Sequence, residues 1–260
     1  MQEFLDSVPI VGVFIVFAIA SLIVYEIGFR VGRWWQKRTP DEVEGPTGVL
    51  VGSLLALMAF MLAITMGMAS DRFDTRRGLV LEEANSIGTT YLRAGYLPEP
   101  ASTTTRELLR EYVPLRIVPD GATDVPARIA RSAEILDELW LIAEQLAIDT
   151  PSSDVLGLYI ETLNETIDVN ETRIIAALFA RVPETVVFLL IAGSVMTLGM
   201  VGYSAGLTRR RSPLTAIVMI VVLGAVITLI VDLDRPGDGF ISISQQALTD
   251  LESQIGPPSS

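Results

Sequence analysis

Two polar clusters hold most of the side chains in this 260-residue chain that could do chemistry. The first runs Phe73-Asp-Thr-Arg76-Arg77 and continues through Glu82-Glu83-Ala84-Asn85-Ser86-Ile87-Gly88-Thr89-Thr90-Tyr91-Leu92-Arg93. On a helix, Glu82, Ser86, Thr89 and Arg93 share one face, and Glu83 lies two turns beyond Arg76. Such a stripe can line a vestibule or hold an ion; the periodicity alone favours solvated faces and hydrogen bonds within a bundle. The second cluster is Val231-Asp232-Leu-Asp234-Arg235-Pro236-Gly-Asp238-Gly239-Phe240. Its carboxylates suit a hard cation, but the spacing does not match an EF-hand loop. The expected role is ion pairing of Asp232 and Asp234 with Arg72, Arg76 and Arg77, at about 0–1 kcal/mol per pair at an aqueous interface.

Other chemistry is missing. The chain has no cysteine and no histidine, so disulfides, thiolate catalysis and the commonest general base and zinc ligand are absent. No nucleophile motif stands out, and neither catalytic residues, a metal centre nor a cofactor is expected; the chain does not read as an enzyme. A net charge of −12 argues against a nucleic-acid partner.

The elements that must position these clusters are apolar helices. Ser7–Tyr25, Gly45–Ser70, Thr185–Thr208 and Ser212–Val231 are free of charge, and roughly 20 apolar residues suffice to cross a bilayer core as a helix. The chain is therefore expected to be all-α: an integral membrane protein with four transmembrane helices in a two-plus-two arrangement and an antiparallel helical bundle between the second and third. The expected boundaries are transmembrane helices at 7–29, 47–70, 183–207 and 213–232, basic turns at 30–46 and 208–212, a helical domain at 71–182 and a tail at 233–260.

Charge supplies direction. Arg30, Arg33, Lys37 and Arg38 follow the first span, and Arg209, Arg210 and Arg211 separate the last two, whereas 71–181 carries 19 acids against 11 arginines. Short Arg/Lys-rich loops stay in the cytoplasm. Both turns are thus expected inside, with the termini and the central segment outside. Glu3 and Asp6 precede the first span with no basic n-region, so a cleaved signal is not expected.

The central segment reads as four helices. Phe73, Val80, Ala84, Ile87 and Tyr91 extend the second span as one rod that ends at Gly95 and Pro98. Thr104-Thr105-Arg106-Glu107 fits a capping box for the next helix, which reaches about Val118 with a kink at Pro114. A third fits Val125–Ala147 with Asp124 as N-cap and Pro126 in its first turn; its seam is Ile129, Ala133, Leu136, Trp140, Ala143, Ala147. The fourth runs from about Ser153 toward Arg181.

Within the spans the sequence is poor in chemistry. Glu26, one turn before Arg30, reads as an interfacial ion pair. Met58, Phe60, Met61 and Thr65 near the middle of the second span are candidates for a pore neck, since apolar constrictions can gate by dewetting; lipid contact and helix packing are the plainer use. Gly28-xxx-Gly32, Gly48-xxx-Gly52 and Gly202-xxx-Gly206 allow close helix approach.

Phe73-x-x-Arg76-Arg77, Glu83-Ala84-Asn85-x-Ile87-Gly88-Thr89-x-Tyr91-Leu92-Arg93 and Asp234-Arg235-Pro236-x-x-Gly239-Phe240 together resemble a bacterial membrane family catalogued as bestrophin-like, over most of the chain. The further likeness to true bestrophins is one of class. It implies a homo-oligomeric ion channel whose second span lines the pore with an apolar neck. It also implies cytoplasmic termini, opposite to the orientation that the arginine bias predicts. No bestrophin neck or calcium-clasp motif can be placed on the chain. The alternative is a membrane-anchored sensor or scaffold whose outer bundle binds a ligand or an unidentified partner protein. Either would sit among lipids as a multi-pass protein of the bacterial inner membrane.

Overall fold

A computed structural model describes residues 8–39, 45–119, 122, 124–209, 211–235 and 239–257. Ser7, Glu3, Asp6, Arg210, Pro236 and Asp238, and residues 40–44, 120 and 121, lie outside these. Among the described residues there are eight helices and no strand: α1 Ile10–Arg38, α2 Gly45–Ala94, α3 Ala101–Arg116, α4 Val125–Asp149, α5 Asp154–Leu178, α6 Glu184–Leu207, α7 Pro213–Asp234 and α8 Gln246–Ile255. Four of them, α1, α2, α6 and α7, are long and apolar enough to cross a membrane.

Several boundaries differ from those expected, each for a local reason. Helix α1 continues through the expected turn as far as Arg38, because Trp34, Trp35, Gln36 and Lys37 contain no breaker before Pro40, which disfavours helix at the residue preceding it. Helix α2 runs unbroken for 50 residues, as the rod expectation required. Helix α3 starts at Ala101, three residues before the expected capping box. Thr104 is inside the helix and donates to the Pro100 carbonyl, while the Glu99 carboxylate takes the Thr103 amide at 3.3 Å and its hydroxyl at 2.8 Å. Asp124 precedes α4 without capping it and instead accepts from Arg128 Nε at 2.8 Å. Ser153 does cap α5, its Oγ accepting from the Leu156 amide at 3.2 Å. The expected tail contains α8, whose Ala247, Leu248, Leu251 and Ile255 recur at helical spacing.

The chain divides into two compact units, residues 1–72 with 181–241 and residues 73–180 with 242–260. In the first, α1 and α6 approach at backbone distance. A Cβ on Gly28 would collide with the Gly199 carbonyl, one on Gly32 with that of Tyr203, one on Gly202 with that of Tyr25 and one on Gly206 with that of Phe29. Two of the three expected glycine pairs therefore make one intrachain interface. Helix α7 joins it where the rings of Phe14 and Phe17 approach to about 3 Å of the Cβ position at Gly224.

In the second unit, Val80, Ala84 and Ile87 of α2 pack with Leu109, Tyr112 and Val113 of α3, Ile135, Leu136 and Leu139 of α4, Leu156, Tyr159 and Leu163 of α5, and Leu248, Leu251 and Ile255 of α8. Helix α4 buries Ser132, Ile135, Leu136, Leu139 and Ala143 rather than the expected Ala133 and Ala147 edge. The larger side chains Ile135 and Leu139 remove more apolar area from water than the alanines would, and that sets the rotation of the helix. Helix α8 is fastened by Gln245, whose side-chain amide bonds both the N–H and the C=O of Val118 (2.8 and 2.6 Å), and by Arg110 Nε donating to the Ile255 carbonyl at 2.8 Å.

Candidate functional site

Two faces of α2 carry different things. Met58, Leu62, Thr65 and Ala69 form one buried line at spacings of four, three and four. Met58 meets Gly193 of α6 and its sulfur accepts from Ser194 Oγ at 3.9 Å; Thr65, fully buried, donates to the Met61 carbonyl at 2.8 Å. The opposite line, Val49, Ser53, Ala56, Phe60, Ala63 and Gly67, is exposed, Phe60 by 61 %. Met61 lies between the two and is half-buried. Of the four neck residues named from sequence, Met58 and Thr65 thus pack inside the chain and Phe60 faces outward. Among the described residues, no other part of the chain lies within 4 Å of a Cβ at Gly48, Gly52 or Gly67.

Further along α2, the polar residues separate in the same way. Glu83 is fully buried, its carboxylate receiving Arg116 Nε of α3 at 2.6 Å and Arg173 Nη1 of α5. Arg173 Nη2 also donates to the Arg116 carbonyl at 3.2 Å. Tyr112 donates to Asn170 Oδ1 at 3.2 Å beside this knot, and the Arg116 guanidinium lies 5.9 Å from its ring centre. Burial pushes the Tyr112 phenol far up, the Arg116 guanidinium pulling the other way. Ser86 donates to the Glu83 carbonyl at 3.0 Å, and Thr90 links Ser86 O to Thr166 Oγ1 at 2.8 and 3.0 Å. One carboxylate shared by two guanidiniums leaves a net positive charge in the interior and ties α2, α3 and α5 at a single point.

The expected stripe of Glu82, Ser86, Thr89 and Arg93 does not stay together. Ser86 is buried; Thr89 is exposed and donates to the Asn85 carbonyl at 2.8 Å; Arg93 bonds the Leu158 carbonyl and lies 3.6 Å from Glu161. Glu82 and Asn85 are exposed. Glu82 instead joins Glu161, Glu165 and Asp168 of α5 along a groove of about 480 Å³. Arg76 is buried and donates to the Ala180 carbonyl at 3.5 Å, Arg77 is exposed and Arg72 half-buried.

The second cluster organises backbone. Asp232 accepts from the amides of Phe240 and Ile241 at 2.9 and 3.1 Å, Asp234 from the amide of Val182 at 2.8 Å, and Arg235 Nη2 donates to the Val8 carbonyl at 2.8 Å. Gly239 sits so close that a Cβ there would strike Asp232 Oδ1. These contacts tie the end of α7 to Phe240, Ile241, Val182 and Val8.

Sequence reasoning missed Arg116 and Arg173, although a signal was present. Leu109-Tyr112-Val113-Arg116 and Tyr159-Leu163-Thr166-Asn170-Arg173 are buried seams, the first apolar and the second turning polar at Thr166 and Asn170, that each end in a guanidinium. An arginine in register with a buried seam calls for a buried carboxylate, and Glu83 lies between the seam residues Val80, Ala84 and Ile87.

The fold and these sites define an all-α protein with four membrane-length apolar helices. The chain belongs to the Bestrophin-like domain family, which it matches over residues 14–248. Its fold is that of bacterial bestrophin homologs. A tyrosine-to-alanine variant of the Klebsiella pneumoniae homolog is 16% identical with a TM-score of 0.70, covering 93% of this chain and 97% of that one. The same homolog solved by Zn-SAD phasing is 15% identical, TM-score 0.66, covering 95% and 97%. A leucine-to-threonine variant is 16% identical, TM-score 0.69, again covering 95% and 97%. No functionally curated protein matches the chain.

Proposed function

We propose that the chain assembles as a homo-oligomeric ion-conducting pore of the bacterial inner membrane, with the exposed face of α2 turned toward the axis. The observation that carries this is the division of α2. In its apolar part, residues 47–70, a single line, Met58–Leu62–Thr65–Ala69, is buried, while Val49, Ser53, Ala56, Phe60, Ala63 and Gly67 are left uncovered. An apolar stretch that makes so little of its own packing has its partners outside the chain, and small residues at Ser53, Ala56, Ala63 and Gly67 leave room for a lumen or a neighbouring helix. Phe60 is then the neck, flanked by Met61. Membership of the bestrophin-like family supports the same reading.

In this arrangement two hairpins, α1 with the start of α2 and α6 with α7, cross the bilayer. Their basic turns lie in the cytoplasm, and the helical domain at 71–182 lies outside with the termini. The arginine distribution supports this orientation. Because the chain lacks cysteine, a cysteine placed at exposed Ser152 is expected to react with an impermeant thiol reagent in intact cells and one at exposed Ser212 is not; the reverse pattern refutes the orientation.

The pore itself is tested by reconstituting purified protein into liposomes loaded with salt. Ion flux above protein-free liposomes is expected, altered by Phe60→Ala. Flux equal to that of empty liposomes would refute conduction.

A further inference from the structure

At the basic end of the first unit, one carboxylate gathers guanidiniums from two separate places. Glu26 of α1 accepts from Arg30 Nε at 2.9 Å and from Arg211 Nη2 at 2.9 and 2.8 Å. Arg211 comes from the turn between α6 and α7, and its guanidinium carbon sits 4.5 Å over the Phe29 ring. The turn itself is specialised. Arg209 adopts a left-handed backbone, φ 54°, where glycine is the ordinary choice, and its Nε donates to Gln36 Oε1 of α1 at 2.7 Å. A side chain kept at a position that favours glycine marks a site where the side chain is used.

Charge and wall chemistry together select the ligand. This end of the unit carries six described cations, Arg30, Arg33, Lys37, Arg38, Arg209 and Arg211, against one described carboxylate, Glu26, and Arg30 and Arg211, which bond it, remain 77% and 59% exposed. Directly along α1 from Arg30 lies an exposed apolar row, Ile23, Ile27, Val31 and Trp34, and α7 begins with exposed Leu214, Ile217 and Val218. Trp34 and Trp35 are half-exposed at the same level, with Arg38 stacked 4.0 Å over Trp34. A free phosphate or a polyanion would use the cations and leave the apolar rows bare. A phospholipid uses both: phosphodiester on the guanidiniums, acyl chains along α1 and α7, tryptophans at the interface.

We infer that the Glu26-centred cluster between the end of α1 and the α6–α7 turn is a built site for the headgroup of an anionic phospholipid. Glu26 is its positioning residue, holding Arg30 and Arg211 at one place. The site requires membrane insertion only and is independent of pore formation, so it stands or falls apart from the conduction assay.

The test is lipid retention by the full chain, measured by native mass spectrometry from detergent micelles titrated with phosphatidylglycerol or phosphatidylcholine. Wild type is expected to hold phosphatidylglycerol in preference. Arg30→Gln/Arg211→Gln is expected to weaken phosphatidylglycerol binding roughly thirty-fold, the loss of two interfacial cations. Arg33→Gln/Lys37→Gln removes the same charge away from Glu26 and is expected to weaken it far less. Glu26→Gln raises the net charge of the cluster yet is expected to weaken binding, because the two guanidiniums separate. Equal losses in the two double variants, unchanged or tighter binding in Glu26→Gln, equal retention of the two lipids by wild type, or displacement of the lipid by inorganic phosphate would each overturn the proposal. All the substituted side chains are exposed or half-exposed, and circular dichroism of each variant checks that helix content is kept.

Discussion

Replacing Glu83 with glutamine removes the carboxylate shared by the buried guanidinium of Arg116 and the partly buried one of Arg173. The Glu83 side chain is 0% exposed, Arg116 6% and Arg173 15%, so water cannot take over as counter-charge without opening the core. Breaking a buried pair by removing one partner costs about 3–5 kcal/mol, because the remaining charge is left uncompensated. Arg173 is the more exposed guanidinium and can turn outward, which keeps the total within that range rather than doubling it. For a chain of this size the loss corresponds to a fall in Tm of about 6–20 °C. The assay is thermal unfolding of the full chain in detergent micelles, followed by circular dichroism. Glu83→Gln should be the most damaging, Arg116→Met next and Arg173→Met mildest, since each arginine variant still leaves one matched ion pair. The triple Glu83→Met/Arg116→Met/Arg173→Met substitution should recover to within about 1–2 kcal/mol of wild type, as an apolar replacement of a whole buried ion cluster does. A Glu83→Gln protein melting within about 2 °C of wild type, or an Arg173→Met protein less stable than Glu83→Gln, would refute the reasoning.

Two other predictions follow from the packing. Gly202→Val drives a branched side chain into the Tyr25 carbonyl of α1 and should lower stability by at least about 1–3 kcal/mol; Gly67→Ala, with open space around it, should leave the monomer's melting unchanged or slightly higher. Tyr159 is fully buried against Thr105, and burial raises its phenol to about 12 from about 10. The folded state thus holds that proton more tightly than the unfolded chain. Its contribution is complete below pH 10 and is lost as pH rises through 12, on the order of 3 kcal/mol. Tyr159→Phe should flatten the fall in stability across that window, as measured by denaturant unfolding at several pH values; an unchanged fall would contradict the assignment.

The membrane helices were legible in the sequence because uninterrupted apolar runs of bilayer length are rare in chains that stay in water. The unbroken α2 was legible too, since no glycine–proline signal interrupts it before Gly95 and Pro98. Capping at α3 was not, because Glu99 competes with Thr104 for the first-turn donors and only the path of the chain at Pro100 decides between them. Nor was the buried knot: spacing along α2 suggests Arg76 as the neighbour of Glu83, whereas its partners come from α3 and α5 through tertiary packing. Asp232 and Asp234 also accept from the amides of Phe240, Ile241 and Val182, contacts that spacing alone does not reveal. The glycine pairs show the same limit: the pattern at Gly48 and Gly52 is identical to that at Gly28 and Gly32, yet among the described residues only the latter meets a partner helix.

If the exposed face of α2 lines a conducting pathway, cysteines on its two faces must respond differently to modification. Phe60→Cys and Met58→Cys proteins are reconstituted in liposomes and treated with a charged thiol reagent. Ion flux through the Phe60→Cys protein should fall on modification, while flux through the Met58→Cys protein, whose residue packs against α6, should not change. Equal sensitivity at the two positions, or modification at Phe60→Cys with no effect on flux, would contradict a pore lined by this face.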